Sequence, residues 1–449
     1  MNRLKTLVDR DFLRVTLRLA VPIALQKLLI SSFSMVDTVM VGRLGDTALA
    51  AVGIAGQWAF LMNVVFFGLT SGLAVFVSQY WGRKDMDGIH RAYGLALTTS
   101  FVISAAFMVL ALMIPRQVVR LFTKDEEVVA EAAAYLLIAA FSYPASALSQ
   151  VFSTVLCSTE QVKLPMYVSI VSVAANMALN ALFMFGMGMG VRGAALGTLF
   201  STWITPVVTY LVARRRKYAL VTPFRRLIDW TPAFVKRYFT LSLPVLMNES
   251  LWALGTTSFN MIYGQLSTEF FAAITIFRSI EAVATTFFWG LCHAASVVVG
   301  KHVGAGDMME AKRDANRFVV LGTIIAVGVG LLMVLGRPIL LAPFEVSAAA
   351  YDYAWMILLI YGLEQGIRTF PAMSIVGIFR AGGDTRTGLL YDGVCLWLFA
   401  LPVTLVCGVV LKLPLTLTYL LMLLTDDVPK LILCIKRLKS GKWIMPIRQ

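Results

Sequence analysis

Long apolar runs, separated by short polar segments, set the plan of this chain. A membrane-spanning helix needs about 20 consecutive apolar residues, and more when it is tilted. Twelve stretches reach that length: roughly 15–41, 46–80, 92–114, 128–157, 165–189, 193–213, 238–263, 269–300, 315–336, 348–379, 387–411 and 414–435. The pattern predicts an all-α polytopic membrane protein with twelve transmembrane helices. Pro22, Pro144, Pro206, Pro244 and Pro402 fall inside these stretches. Neighbouring helices in a bundle can satisfy the backbone groups that each proline frees. The first 18 residues are basic and amphipathic, and no small-residue cleavage site follows, so no cleavable signal peptide is expected.

The pattern also repeats. A shift of 222 residues lays Leu19 and Pro22 on Leu241 and Pro244, and Gly42 and Leu44 on Gly264 and Leu266. It also lays Gly82, Asp85 and Arg91 on Gly304, Asp307 and Arg313. Further on the offset becomes 223, and Lys163 meets Arg386. The expected organisation is an N-lobe of helices 1–6 (residues 1–213), a basic linker (214–237), and a C-lobe of helices 7–12 with a basic tail (238–449). An even number of helices per half preserves orientation, so the two lobes are expected to be related by a pseudo-twofold axis along the membrane normal. Transporters built on such repeats hold their sites near the bilayer midplane and rock one half against the other.

Composition agrees. The chain is 59% hydrophobic and 14% charged, whereas a soluble domain is about 45–50% apolar and about 25% charged. A net charge of +14 could suggest nucleic acid. The positions of the bases argue against it. Of 39 Lys and Arg, 29 count with the N-terminal arm, the even-numbered loops and the C-terminal tail, taking in Arg18, Arg317, Arg380 and Lys430 at or near the ends of apolar stretches; seven fall in the odd-numbered loops, and Lys27, Arg278 and Arg368 lie within helices. The positive-inside rule then places both termini, and the run Arg214-Arg215-Arg216-Lys217, in the cytoplasm. That run reads as a topology determinant with some affinity for anionic lipid. The five cysteines show no metal or CxxC spacing and read as small buried residues. His90, His293 and His302 show no ligand spacing either.

One carboxylate stands out. Asp37 lies in Phe33–Gly45, among Phe, Met and Val, at the end of the first apolar run. A charge near the bilayer centre costs roughly 2.5–3.5 kcal/mol on insertion scales, so it is rare and usually functional. Asp37 is the first candidate to carry a coupling proton or cation, and its repeat partner is the apolar Phe259. Glu249 lies one turn after Pro244, where freed carbonyls could help hold an ion; its repeat partner is Lys27, and a Lys27–Glu249 ion pair is the alternative. Asp392 sits in an apolar run before Trp397. Arg278 and Glu281, three apart, either neutralise each other or line a cavity, and Glu364 with Arg368 pose the same choice. An apolar substrate cavity could draw on Met35, Trp58, Met62, Phe66, Met184, Phe288 and Tyr361. Methionine is adaptable and aromatic faces attract organic cations, but such residues also serve simply to pack helices.

Several motifs resemble one family. FSMVDTVMVGRLG (33–45) followed by ALAAVG (48–53) is similar to the first-helix signature of multidrug and toxic compound extrusion (MATE) transporters. Gly82-Arg83-Lys84-Asp85 and Gly304-Ala305-Gly306-Asp307 resemble the family's paired loops after helices 2 and 8. Phe379 to Arg386 resembles its RAGGDT segment, and Asn176 to Thr198 its fifth and sixth helices. The similarity runs through the whole chain and resembles the DinF-like and NorM-like bacterial branches. It implies a V of two six-helix lobes around a central cavity, and an antiporter that exports cationic or amphipathic organic compounds in exchange for H⁺ or Na⁺. It implies no other cofactor or metal, no nucleic acid, a lipid bilayer around the protein, and a monomer. The N-lobe cation site of the family maps onto Asp37, Asn176, Asn180 and Thr198; where some members carry a second acid this chain has Asn180, which favours a proton. The NorM-like acids map onto Glu249 and, loosely, Asp392. Two rivals are a lipid-linked oligosaccharide flippase, which needs several cavity Arg or Lys, and a membrane enzyme, which needs a His/Asp or His/Cys cluster.

Overall fold

The computed structural model describes residues 9–344 and 346–447, the side chains of 33–35 excepted. The described residues are helical apart from their loops and one isolated bridge between Gly383 and Ile444. In chain order the helices are α1 (Arg10–Gly42), α2 (Asp46–Arg83), α3 (Met86–Met113), the short α4 (Pro115–Arg120), α5 (Glu126–Ser158), α6 (Lys163–Gly186) and α7 (Gly190–Arg216). Then come the short α8 (Phe224–Leu227), α9 (Pro232–Leu266), α10 (Thr268–Ala284), α11 (Thr286–Ala305), α12 (Met308–Leu335) and the short α13 (Arg337–Leu341). The last three are α14 (348–382), α15 (Thr385–Val410) and α16 (Leu415–Ser440). With α10 and α11 taken as one stretch bent by 48°, these make twelve long helical segments among the described residues.

Length and apolarity alone qualify eight of them as spans, or nine with the bent pair. The other three, α9, α14 and α16, carry Glu249, Glu364 with Arg368, and Asp426 with Asp427 and Lys430 in their interiors. Their polar positions lower the apolar signal without breaking the helix. Val102, Leu332, Leu335 and Leu398 project from the helices without protein cover. That suits a hydrocarbon solvent, in which only backbone groups must be satisfied internally.

The repeat governs helix boundaries. Asp46–Arg83 corresponds to 268–305 and Met86–Met113 to 308–335, each at the offset of 222. Asp85 and Asp307, partners in the repeat, do the same job. The Asp85 carboxylate accepts from the Gly88 amide at 2.8 Å, and Asp307 from Glu310 at 3.2 Å. Each satisfies one of the orphan donors in the first helical turn. The paired loop motifs after helices 2 and 8 are therefore helix caps.

The RAGGDT segment has a different role. Asp384 caps α15 through Thr387 and binds Arg437 at 2.6 Å. Gly383 has φ of 96°, and a Cβ there would strike the Met445 carbonyl. This opening admits the C-terminal tail. Met445 donates its amide to the Gly382 carbonyl at 2.7 Å, and Trp443 is fully buried.

The chain forms two compact units. One contains Leu25–Ser242; the other contains the described residues through Ala24 together with those from Leu243 onward. The division falls inside α1 and α9, just past Pro22 and just before Pro244, rather than in the 214–237 stretch taken as the linker from sequence. Local packing explains it. Phe12 meets Phe318 edge-on at 4.9 Å, with the Arg317 guanidinium 5.2 Å from its ring. Tyr238 stacks on Phe76 at 5.5 Å and donates to the Leu69 carbonyl at 2.8 Å. Each unit has its own apolar core, one around Met62, Phe66, Leu136 and Met184, the other around Tyr263, Phe270, Ile357 and Tyr361.

Candidate functional site

In the unit of residues 25–242, three helices bring a polar chain together in apolar surroundings. Asp37 comes from α1, Asn176 and Asn180 from successive turns of α6, and Thr198 and Ser201 from α7. Asn180 Nδ2 donates to Asp37 Oδ1 at 2.5 Å and to Asn176 Oδ1 at 2.8 Å. Asn176 Nδ2 donates to Ser201 Oγ at 2.8 Å, and Ser201 Oγ donates to the Thr198 carbonyl at 3.1 Å. The Thr198 side chain is hydrogen-bonded with Tyr135 of α5. All four residues mapped to an N-lobe site are brought together. Ser201 and Tyr135 are additions; Ser201 lies 25 residues from Asn176, a separation no spacing rule marks.

The chain of donors has a direction. Both Asn180 amide hydrogens are used, so its Oδ1 is left as an acceptor, and that oxygen is buried with no partner. A buried unpaired acceptor costs about 1–3 kcal/mol unless something satisfies it. Gly197 sets this geometry: a Cβ there would collide with Asn180 Oδ1. Asp37 makes no ion pair within the described residues; its polar partner is the neutral Asn180. The site therefore offers one carboxylate and one open amide oxygen, both hard oxygen ligands, with a single negative charge. That donor set suits a proton or a monovalent cation.

The other unit is built on fixed charges. Arg380 Nη2 donates to Glu249 at 2.7 Å, and Arg380 is buried. Asp392 accepts from Asn248 at 3.0 Å and from Lys430 at 3.3 Å, while Lys430 also binds Asp426 at 2.8 Å. Arg368 binds Asp427 at 3.3 Å and lies 5.4 Å from the Tyr361 ring, and Glu364 is buried next to Asp427. Tyr361 donates its hydroxyl to Glu281. Glu249 and Asp392 are thus not neighbours in one pair; each has its own cation. Glu281 pairs with Tyr361 instead of Arg278, and Arg278 lines a separate cavity of about 330 Å³ with Asn260, Phe271 and Ser279.

Sequence reasoning assigned Arg380 to a loop and Lys430 to the tail; both are buried ion-pair partners. Asp426, Asp427 and Lys430 fit helical spacing on one face, a signal that the run at 414–435 carried. Of the substrate-cavity candidates, Met62, Phe66 and Met184 sit in the first core with Trp58 packed against it, and Tyr361 sits in the second. Phe288 is buried on α11. The Met35 side chain lies outside the described residues. The described residues contain no group of three or more His, Cys, Asp or Glu that could hold a metal, and the five cysteines are free thiols.

Fold and site together define a polytopic helical transporter with a part-buried carboxylate on its first helix. A profile of the MatE family matches residues 22–182 and 244–406, once in each half, and the chain belongs to that family. Members of the family are transporters, not enzymes. A probable multidrug resistance protein NorM of Rhizobium meliloti (strain 1021) is 26% identical over 420 residues, covering 87% of each chain. Human multidrug and toxin extrusion protein 1 is 25% identical, covering 88% of this chain and 69% of the human one. The crystal structure of the Vibrio cholerae MATE transporter VcmN in its bent form superposes with a TM-score of 0.87 at 16% identity, covering 97% of this chain and 99% of that one. A crystal structure of MATE in the bent conformation gives 0.86 at 18% identity, with 96% of each chain covered. At these identities the structural likeness concerns the fold.

Proposed function

We propose that the protein is a secondary multidrug antiporter that exports organic cations and amphipathic compounds in exchange for H⁺, or Na⁺, by alternating access. The observation that carries this reading is Asp37, a carboxylate held only by a neutral amide, beside an open amide oxygen. A proton or cation supplies the charge that the protein does not. A ligand shifts a two-state equilibrium only by its differential affinity for the two states. Loading Asp37 from outside favours the state that releases substrate; unloading it inside restores the state that takes substrate up. One carboxylate at the site favours H⁺ over Na⁺. Multidrug relatives at 25–26% identity support the substrate class.

On this reading the protein acts as a monomer in the bacterial inner membrane, with both termini cytoplasmic. The two compact units, divided within α1 and α9, supply the two moving bodies. The flippase alternative needs unengaged bases to hold a diphosphate, whereas Arg368, Arg380 and Lys430 are each bound to a carboxylate. The test is efflux of a fluorescent organic cation from proteoliposomes under separate pH and Na⁺ gradients, comparing wild type with Asp37→Asn. Gradient-driven efflux that survives Asp37→Asn would sink the mechanism.

A further inference from the structure

The unit of residues 25–242 carries a basic pocket that the transport site does not use. It encloses about 420 Å³ and is lined by Arg116, Gln117 and Arg120 of α4, Arg192 of α7, and Ala133 and Leu137 of α5. Pro115 starts α4 at its first position, where a missing amide hydrogen is harmless. Arg116 and Arg120 are then one turn apart on the same face. Arg192 lies in the first turn of α7, where helix amides favour an anion. Arg120 donates to Glu126 at 2.7 Å, but both are exposed, and such a pair exchanges easily. Arg116 and Arg192 have no partner among the described residues.

Four further observations separate this pocket from ordinary surface charge. Arg192 opens α7 and Arg214 to Arg216 close it. A helix of 27 residues is about 40 Å long, so the pocket lies a membrane's width from the basic linker. The odd-numbered loops hold seven Lys and Arg, and three of them line this one cavity. The repeat does not require them: at the offset of 222 positions 116 and 120 meet Pro338 and Ala342, and at the later offset of 223 position 192 meets Leu415. The surroundings are apolar as well. Met113 and Leu121, flanking α4, are 75% and 73% exposed, and Leu137 in the pocket wall is 40% exposed. Guanidinium groups match phosphate oxygens in a planar fork, while exposed Met and Leu suit acyl chains.

We propose that this pocket binds the phosphate of an anionic phospholipid in the leaflet opposite the basic linker, with the acyl chains over Met113, Leu121 and Leu137. The full-length chain in neutral detergent would be titrated separately with phosphatidylglycerol, phosphatidylcholine and inorganic phosphate. Native mass spectrometry would count bound lipid, and thermal scans would read stabilisation. Wild type is expected to retain phosphatidylglycerol about a hundredfold more tightly than R116Q/R192Q, the effect of losing two charge-assisted bonds. Phosphatidylcholine and inorganic phosphate are expected to bind weakly to both. R214Q/R215Q, which lowers positive charge elsewhere, should keep the tight binding. Should R116Q/R192Q fold poorly, R116K/R192K keeps the charge but loses the fork, and intermediate affinity is expected. Equal phosphatidylglycerol binding by wild type and R116Q/R192Q would overturn the site. Tight binding of inorganic phosphate that blocks phosphatidylglycerol would overturn the lipid assignment in favour of a soluble anion.

Discussion

Asp37 in one unit and the Glu249, Asp392, Asp426 and Asp427 cluster in the other are held in opposite ways. Asp37 is bonded by a neutral carboxamide, whereas Glu249, Asp392, Asp426 and Asp427 are each bonded by Arg or Lys. A buried ion pair with one partner removed leaves an uncompensated charge, which is strongly destabilising. A carboxylate among amide dipoles can gain or lose a proton or cation without stranding a neighbour. The second cluster is therefore suited to hold helices α9, α14, α15 and α16 together, and the first to change its charge during a cycle. A repeat that keeps helix ends at a fixed offset has diverged in its chemistry, with Asp37 in one half and Phe259 in the other.

That contrast can be broken directly. Lys430→Met strands Asp392 and Asp426 together and should cost about 3–5 kcal/mol of stability, read as a large drop in thermal unfolding temperature in detergent. Unchanged unfolding would show that these charges are not structural. Asp37→Asn should lower gradient-driven efflux by about a hundredfold, near 2.7 kcal/mol, with stability altered by less than about 1 kcal/mol. A comparable loss of stability in both variants would erase the difference between the units. Gly197→Ala pushes a methyl group against Asn180 Oδ1 and should cost about 1–3 kcal/mol as overpacking does. Efflux should fall with it, because Asn180 would be turned away from Asp37; full activity would mean that the open oxygen has no role. The smallest change expected is in Asn180→Asp, which adds a second carboxylate. Its efflux should become a few times more responsive to a Na⁺ gradient, in line with the added ligand charge, and an unaltered ion preference would show that carboxylate count does not set the choice.

Two of the motifs that carry the family resemblance are architectural. Asp85 and Asp307 are caps, and Gly382-Gly383-Asp384 seats the C-terminal tail and starts α15. Both motifs are local in sequence, and their geometry is satisfied within a few residues or by one nearby strand of tail. Asp37 was legible because a charge in a long apolar run is conspicuous by itself. Arg380 and Lys430 were misplaced because a base near the end of an apolar stretch looks the same whether it points to water or to a buried acid.

Sequence alone determined the helical class, the twofold repeat and the costly carboxylate on α1. Those follow from one-dimensional signals: apolar length, a fixed offset and the expense of burying charge. Only the tertiary structure decided which charges meet. Arg368 could as well have paired with Glu364 four residues away, yet it binds Asp427 from another helix. Glu281 lies three residues from Arg278 but accepts from Tyr361, eighty residues on. It also decided that Asn180 spends both amide hydrogens and leaves its oxygen free. Spacing fixes which side chains share a helix face, but the partner is chosen by the neighbouring helix packed against that face.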